Sequence, residues 1–115
     1  MLPAVTRNPG RTADWTVLDE PAQDTAALAT KAAVADKRHF VTTLMVSNTG
    51  SGAVRAEFKE GGVVKLVFYC FQSGGAVQIN LPVPYEVAQN TAVSLGVAQG
   101  AAGSKVCANM VGYTL

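Results

Sequence analysis

Charged side chains are scarce in this sequence: they account for 15% of its 115 residues, whereas an average soluble domain has about 25%. The net charge of +1 creates no broad electrostatic field, so nucleic acid is not an expected partner. Between Leu66 and Ser104 the only charged side chain is Glu86. Much of the surface must therefore be neutral, which suits a protein whose surface is covered by neighbouring subunits.

Long apolar runs are also missing. A membrane-spanning helix needs about 20 consecutive apolar residues, but the uncharged stretch is interrupted by amide, glycine and proline residues, namely Gln72, Gly74, Gly75, Gln78, Asn80, Pro82 and Pro84. The first residues lack the basic start and continuous apolar core of a secretory signal. We expect neither a membrane partner nor export by the secretory route.

Residues for catalysis and metal binding are few: one histidine, His39, and two cysteines, Cys70 and Cys107. Nucleophilic catalysis requires a nucleophile, a base and a group that orients the base, and we interpret His39 as a surface or strand-end residue. The cysteines lie in apolar strand-like runs and are predicted to be free and buried. One histidine complements them poorly as a zinc site. We therefore predict no enzyme activity, no cofactor and no metal.

Two further patterns have a structural and a chemical interpretation. The only acidic cluster, formed by Asp14, Asp19, Glu20 and Asp24, is interpreted as a solvated stretch, with a calcium contact or paired catalytic carboxylates as alternatives. Residues 100–105 superficially resemble a phosphate-binding loop, but Ser104 precedes Lys105 and a strand follows where that loop needs a helix. A hairpin loop is the favoured interpretation.

The chain is predicted to consist of an extended N-terminal arm, residues 1–24, and one domain, residues 25–115. The arm has little periodicity in its apolar residues and is interrupted by prolines. We predict one short strand in it, around Trp15–Leu18. The alanine-rich stretch that follows has helical propensity but no apolar stripe with a helical period. We predict a strand over Thr25–Ala33 instead.

Alternating apolar and polar residues indicate strands through the rest of the chain. The repeating inward positions are Val54, Ala56, Phe58, Val77, Ile79, Leu81, Val93, Leu95, Val97, Val106, Ala108 and Met110. Gly61 and Gly62 indicate a hairpin turn. Seven or eight short strands separated by turns at this spacing predict an all-β fold, either a jelly-roll or an Ig-like antiparallel sandwich.

The segment Val63–Phe71 is apolar on both faces, with Val64, Leu66 and Phe68 opposite Val67, Tyr69 and Phe71. One face fills a sandwich, and the other needs a second cover, either a neighbouring subunit or the arm folding back. We predict Val67, Tyr69 and Phe71 to form an interface, together with Arg7, Arg11 and Trp15 in the arm, because arginine and aromatic residues are frequent at interface hot spots. The alternative is an aromatic platform for sugars or single-stranded bases, formed by Trp15, Tyr69, Phe71, Tyr85 and Tyr113.

Four short motifs carry a resemblance to a known family. They are Val46-Ser47-Asn48-Thr49, Pro82-Val83-Pro84, Asn90-Thr91-Ala92 and Gly112-Tyr113. With them, residues 25–115 resemble small structural proteins of tailed bacteriophages, specifically the jelly-roll-like decoration (cement) proteins of the phage head.

The resemblance implies a protein that binds the outside of the phage head shell and stabilises it. The implied partners are the major capsid protein and further copies of the chain in a homo-oligomer. The implied location is the capsid surface of the virion, after synthesis in the host cytoplasm. Related sandwiches occur in phage fibres, so the alternative is a carbohydrate- or receptor-binding module of a tail fibre or spike.

Overall fold

The computed structural model describes residues 13–71 and 75–115. In these ranges the chain forms eight strands and no helix, so none of the described segments is a helix that is long and apolar enough to cross a membrane. The strands are β1 (Ala13–Asp19), β2 (Ala27–Lys31), β3 (His39–Asn48), β4 (Val54–Glu60), β5 (Val63–Cys70), β6 (Gly75–Glu86), β7 (Val93–Val97) and β8 (Val106–Thr114).

The strands form two antiparallel four-stranded sheets. The first sheet has the order β1-β8-β3-β6 and the second has the order β2-β7-β4-β5. Every connection except that between β4 and β5 passes from one sheet to the other, which is the arrangement of a jelly roll. The all-β sandwich prediction is confirmed, and of its two alternatives the strand order matches the jelly roll rather than the Ig-like fold. Gly61 and Gly62, with φ of 56° and 84°, make the predicted hairpin turn from β4 to β5.

The core lies between the sheets and follows the predicted alternation of residues along the four central strands. The inward side chains of β3, β4, β7 and β8 are buried, namely Val41, Leu44, Val46, Val54, Ala56, Phe58, Val93, Leu95, Val97, Val106, Ala108 and Met110. Cys70 is buried and Cys107 half-buried, and both are free thiols as predicted. Burial raises the pKa of both thiols above the ordinary value.

The predicted boundary between arm and domain at residue 24 is wrong for part of the arm. Residues Ala13–Asp19 pair with β8 along their whole length, so β1 is an edge strand of the first sheet. Trp15 lies opposite Gly112 in this pairing, and its indole Nε1 donates a hydrogen bond of 3.0 Å to Thr114 Oγ1. The short strand predicted around Trp15–Leu18 therefore exists, but it belongs to the sandwich.

Two other local predictions change in the structure. The strand predicted over Thr25–Ala33 is confirmed with shorter bounds, Ala27–Lys31. The segment before β8 is not a hairpin loop, because β7 and β8 lie in different sheets. Its Ser104 is buried, and the hydroxyl donates to the carbonyl oxygen of Ala101 at 2.5 Å. A Cβ on Gly50 or Gly100 would overlap the Ser104 side chain, so both glycines are required by close approach.

Candidate functional site

The side of the sandwich formed by β5 and β6, hereafter the open side, carries most of the exposed apolar surface. Each of these strands is at the edge of its sheet, and within the described ranges each pairs with one neighbour only. Six of the nine large apolar side chains that are exposed in the described chain lie here: Val63, Val64, Leu66, Tyr69, Phe71 and Val83. This exposed apolar surface makes the open side the candidate interaction site.

Three predicted interface residues are brought together on the outer face of β5 and just beyond its end. Val67 is half-buried, Tyr69 is 48% exposed and Phe71 is 68% exposed. Tyr69 lies opposite Arg55 and Val67 opposite Glu57, both of which are on the solvent face of β4. The structure therefore places these residues where the sequence analysis placed them, on the face turned away from the core.

Val64 joins the same outer face, which the sequence analysis did not predict. The pairing of β4 with β5 shifts between Phe58 and Lys59, so that Leu66 lies opposite Phe58 but Val64 lies opposite Lys59. A bulge of this kind moves a side chain from one face to the other. The outer stripe of β5 thus consists of Val64, Val67, Tyr69 and Phe71.

The inner face of the open side is incompletely covered. Leu66 is 37% exposed. Phe68 on the same strand, and Val77, Ile79 and Leu81 on β6, pack against the core but are only half-buried. Apolar surface is therefore accessible both between the two edge strands and on the outer stripe of β5.

The outer edge of β6 is partly unsuited to pairing with another strand. Thr43 pairs with Asn80 and Val41 with Tyr85, so the intervening residues 81–84 do not pair with β3. Pro82 and Pro84 in this segment have no N–H to donate. A strand added at this edge therefore receives no hydrogen bond from Pro82 or Pro84.

A charged ladder on the solvent face of β4 borders the apolar stripe. Arg55 Nε donates to Glu57 Oε2 at 2.9 Å, Arg55 Nη1 donates to the Tyr69 hydroxyl at 3.3 Å, and Lys59 Nζ lies 3.6 Å from Glu57 Oε1. The hydrogen bond from Arg55 lowers the pKa of Glu57 below its ordinary value, and the bond to Glu57 raises the pKa of Arg55. The ladder connects Tyr69 on β5 to the charged face of β4.

A second hydrogen-bonded group joins the end of β4 to the end of β6. The Tyr85 hydroxyl donates to Glu60 Oε1 at 2.7 Å, and the backbone N–H of Ala88 donates to Glu60 Oε2 at 2.6 Å. The Tyr85 ring packs edge-on against Phe58 with centroids 5.2 Å apart. Burial and then the bond to Glu60 raise the pKa of Tyr85 to about 12, and the bond from Tyr85 lowers the pKa of Glu60. This contact fixes one end of the open side.

The prediction of Trp15 as an interface residue is wrong. Its side chain is 9% exposed and packs into the core. The sequence analysis placed Trp15 in a proline-containing arm. The apolar residues of that arm do not alternate in a way that indicates a strand paired with β8. Arg7 and Arg11, the other two candidates in the arm, lie outside the described residues.

The aromatic residues that suggested a common platform are separated by the fold. Tyr113 stacks on Phe40 at the outer face of the first sheet, with centroids 5.1 Å apart. Tyr85 packs against the core, and Tyr69 lies on the second sheet. They therefore form no single stacking surface.

His39 lies at the start of β3, as the strand-end interpretation predicted, but it is buried rather than on the surface, and its contacts are structural. Its Nε2 lies 2.7 Å from the Ala32 carbonyl oxygen and its Nδ1 lies 2.8 Å from Thr114 Oγ1. A carbonyl oxygen only accepts, so Nε2 carries a proton and donates it to the Ala32 carbonyl oxygen. Both ring nitrogens are thus engaged, and His39 presents no nitrogen to solvent.

The acidic cluster is distributed over separate structural contacts. Asp19 accepts from the Leu28 N–H at 2.8 Å, Asp24 accepts from the Gly103 N–H at 2.7 Å, and Glu20 lies 3.7 Å from Lys105 Nζ. Among the residues that the structure describes, no three His, Cys, Asp or Glu side chains are grouped to hold a metal ion. Asp14, Glu20 and Asp24 are exposed and Asp19 is half-buried, which agrees with the interpretation as a solvated stretch, and Asp19 and Asp24 in addition accept hydrogen bonds from the backbone.

Comparison with known proteins adds a distant structural likeness. No protein-family model and no curated protein matches the chain. Among solved structures, it is similar to the CBM36-1 domain of a multidomain xylanase from the hindgut metagenome of Trinervitermes trinervoides, with 15% sequence identity, 89% of this chain and 94% of that chain covered, and a TM-score of 0.45.

Proposed function

We propose that the protein is a non-enzymatic structural protein of a bacteriophage particle, a decoration protein that binds the outside of the head shell as a homo-oligomer. The observation that carries the proposal is the concentration of exposed apolar side chains on the open side. The motifs quoted above supply the phage context, and the jelly roll is a fold found in viral capsid and lectin domains, which by itself assigns no function.

The open side suits protein contact better than solvent exposure. Tyr69 and Phe71 are large aromatic side chains at the end of an apolar stripe, and aromatic residues are enriched at interface cores. Between Leu66 and Glu86 the sequence has no charged side chain, so a partner can cover this part of the open side without burying an unpaired charge, while Lys65 is the one charged residue of β5. The partners are a second copy of the chain and the major capsid protein.

The experiment is a fractionation of purified particles of the phage whose genome encodes the chain. Heads and tails are separated, and the chain is quantified in each fraction by mass spectrometry. The proposal expects the chain in the head fraction, in a fixed ratio to the major capsid protein. Recovery with the tail fibres would favour the carbohydrate- or receptor-binding alternative, and absence from both fractions would contradict a virion role.

A further inference from the structure

A shallow depression interrupts the solvent face of the second sheet, beside the charged ladder that borders the outer stripe of β5. Gly96 on β7 lies between Leu28 on β2 and Glu57 on β4 in the strand pairing. The missing side chain leaves a depression of about 280 Å³, with Ala27, Gly96 and Ala98 among the residues that line it and Arg55 and Glu57 forming one wall. Small residues here allow a ligand to approach the backbone of the sheet.

The wall of the depression is a fixed polar pair. The Arg55 guanidinium is held from two directions, by Glu57 at 2.9 Å and by the Tyr69 hydroxyl at 3.3 Å. These bonds occupy two of its five N–H donors. The Arg55 side chain is 47% exposed and the Glu57 side chain is 30% exposed. A donor group and an acceptor group are therefore presented side by side, already oriented, at the edge of an apolar floor.

The charges of the pair determine which ligand the site fits. Within the lining the charges of Arg55 and Glu57 balance, since Lys59, which contacts Glu57, is outside it. Glu57 repels an anion from Arg55, and Arg55 repels a cation from Glu57, so neither kind of ion gains an unopposed partner in the depression. A neutral ligand with neighbouring hydroxyl groups uses both side chains, because one hydroxyl donates to Glu57 while the next accepts from Arg55. The apolar C–H face of such a ligand then lies on Gly96 and Ala98, beside the exposed side chain of Leu28.

We infer that this depression binds a neutral sugar residue, such as the terminal unit of a glycan. The volume is just below the range of about 300–1,000 Å³ that holds drug-sized ligands, which suits one sugar ring rather than a buried oligosaccharide. Sugar binding needs no contact with a capsid and can be measured on the isolated chain. The site lies next to the outer stripe of β5, because Arg55 donates to the Tyr69 hydroxyl.

The test is a titration of the full chain with methyl glycosides of glucose, galactose, mannose and N-acetylglucosamine, followed by amide NMR. We expect saturable shifts at Gly96, Ala98 and Glu57 with at least one of them. Gly96→Val should weaken that binding by about tenfold or more, as expected when side-chain atoms fill the space of the ligand. Ser94→Val, on the same face of β7 but outside the lining, is the matched control and should bind as the wild type does.

The Gly96 variant is expected to fold, because a Cβ at this position has only ordinary contacts, 3.6 Å to Leu28 Cδ1 and 3.8 Å to the Ala27 carbonyl oxygen. Three results would overturn the inference: no saturable shift with any neutral glycoside, unchanged binding by Gly96→Val, or binding confined to the methyl glycoside of a uronic acid. None of these bears on whether the chain is found in phage heads, so the two proposals fail separately.

Discussion

His39 Nδ1 lies 2.8 Å from Thr114 Oγ1, and this contact connects the start of β3 to the end of β8. The Thr114 hydroxyl also accepts from Trp15 Nε1 at 3.0 Å. Trp15 and His39 are in edge-on contact, with ring centroids 5.7 Å apart. A single hydroxyl therefore satisfies two buried ring nitrogens and attaches β1 to the sheet.

Thr114→Val tests this connection. The change keeps the shape of the side chain but leaves the Trp15 N–H and His39 Nδ1 without their partner, so we expect a loss of about 1–3 kcal/mol in the free energy of unfolding. Thr16→Val, an exposed position on β1, is the control and should change stability little. Denaturant unfolding measures both, and equal stability of the two variants would contradict the assignment.

Gly112→Ala tests the close packing of the Trp15 indole ring against Gly112. A Cβ on Gly112 would overlap the Phe40 carbonyl oxygen and lie 2.6 Å from Trp15 Cζ2, so the indole must move. Overpacking of this kind costs about 1–3 kcal/mol, and tryptophan fluorescence should shift to longer wavelength as the ring gains solvent. Gly96→Ala, where a Cβ has ordinary contacts, should leave both the fluorescence and the stability near the wild type. An unshifted spectrum in Gly112→Ala would argue against the close contact.

Two N-terminal truncations distinguish the contribution of β1 to stability from that of the residues before it. A chain that begins at Ala13 retains β1 and every contact described for it, so we expect it to keep the cooperative unfolding of the full chain. A chain that begins at Pro21 loses β1 and Trp15, and emptying a buried tryptophan site costs about 3–5 kcal/mol. If thermal unfolding shows both truncations equally stable, β1 contributes nothing to the sandwich.

Tyr85 and Glu60 predict a dependence of stability on pH. The pKa of Tyr85 is raised from 10 to about 12 in the folded chain, so its contribution is fully present below pH 10 and is lost as the pH rises towards 12. The pKa of Glu60 is lowered, so its contribution is present at neutral pH and is lost as the pH falls through the folded value.

Denaturant unfolding across both pH ranges measures these losses. Tyr85→Phe should flatten the alkaline decrease, and Glu60→Gln should flatten part of the acid decrease and lower the pKa of Tyr85. Tyrosinate absorbance reports that pKa directly. An alkaline decrease of the same size in Tyr85→Phe would show that other groups are responsible.

Strict alternation made the central strands predictable. Phe58, for example, falls in a run where every second residue is apolar and its neighbours Glu57 and Lys59 are charged, and it is 2% exposed in the core. Phe58→Ala should accordingly cost about 3–5 kcal/mol in unfolding free energy. A loss below about 1 kcal/mol would be inconsistent with a buried position.

Features that depend on pairing between distant strands were not predictable. Val64 changes face because a bulge shifts its register against β4, and nothing in the local alternation marks that bulge. Trp15 is buried because β8, about a hundred residues later, provides Gly112 and Thr114. The stripe of Val67, Tyr69 and Phe71 was predictable because alternate residues of a strand lie on opposite faces, and only one face of β5 can fill the sandwich. The depression at Gly96 was not predictable, because it depends on which strands flank β7.

Size-exclusion chromatography with light scattering tests the central claim, self-association through the outer stripe of β5, most directly. The wild type should elute as an oligomer. Tyr69→Asp, Phe71→Asp together should elute as a folded monomer with an unchanged β-type circular dichroism spectrum, because the change places charge at the centre of the interface. Leu18→Asp, an equally exposed apolar position on β1 at 58%, should remain oligomeric. A monomeric wild type, or a double variant that still assembles, would contradict the account.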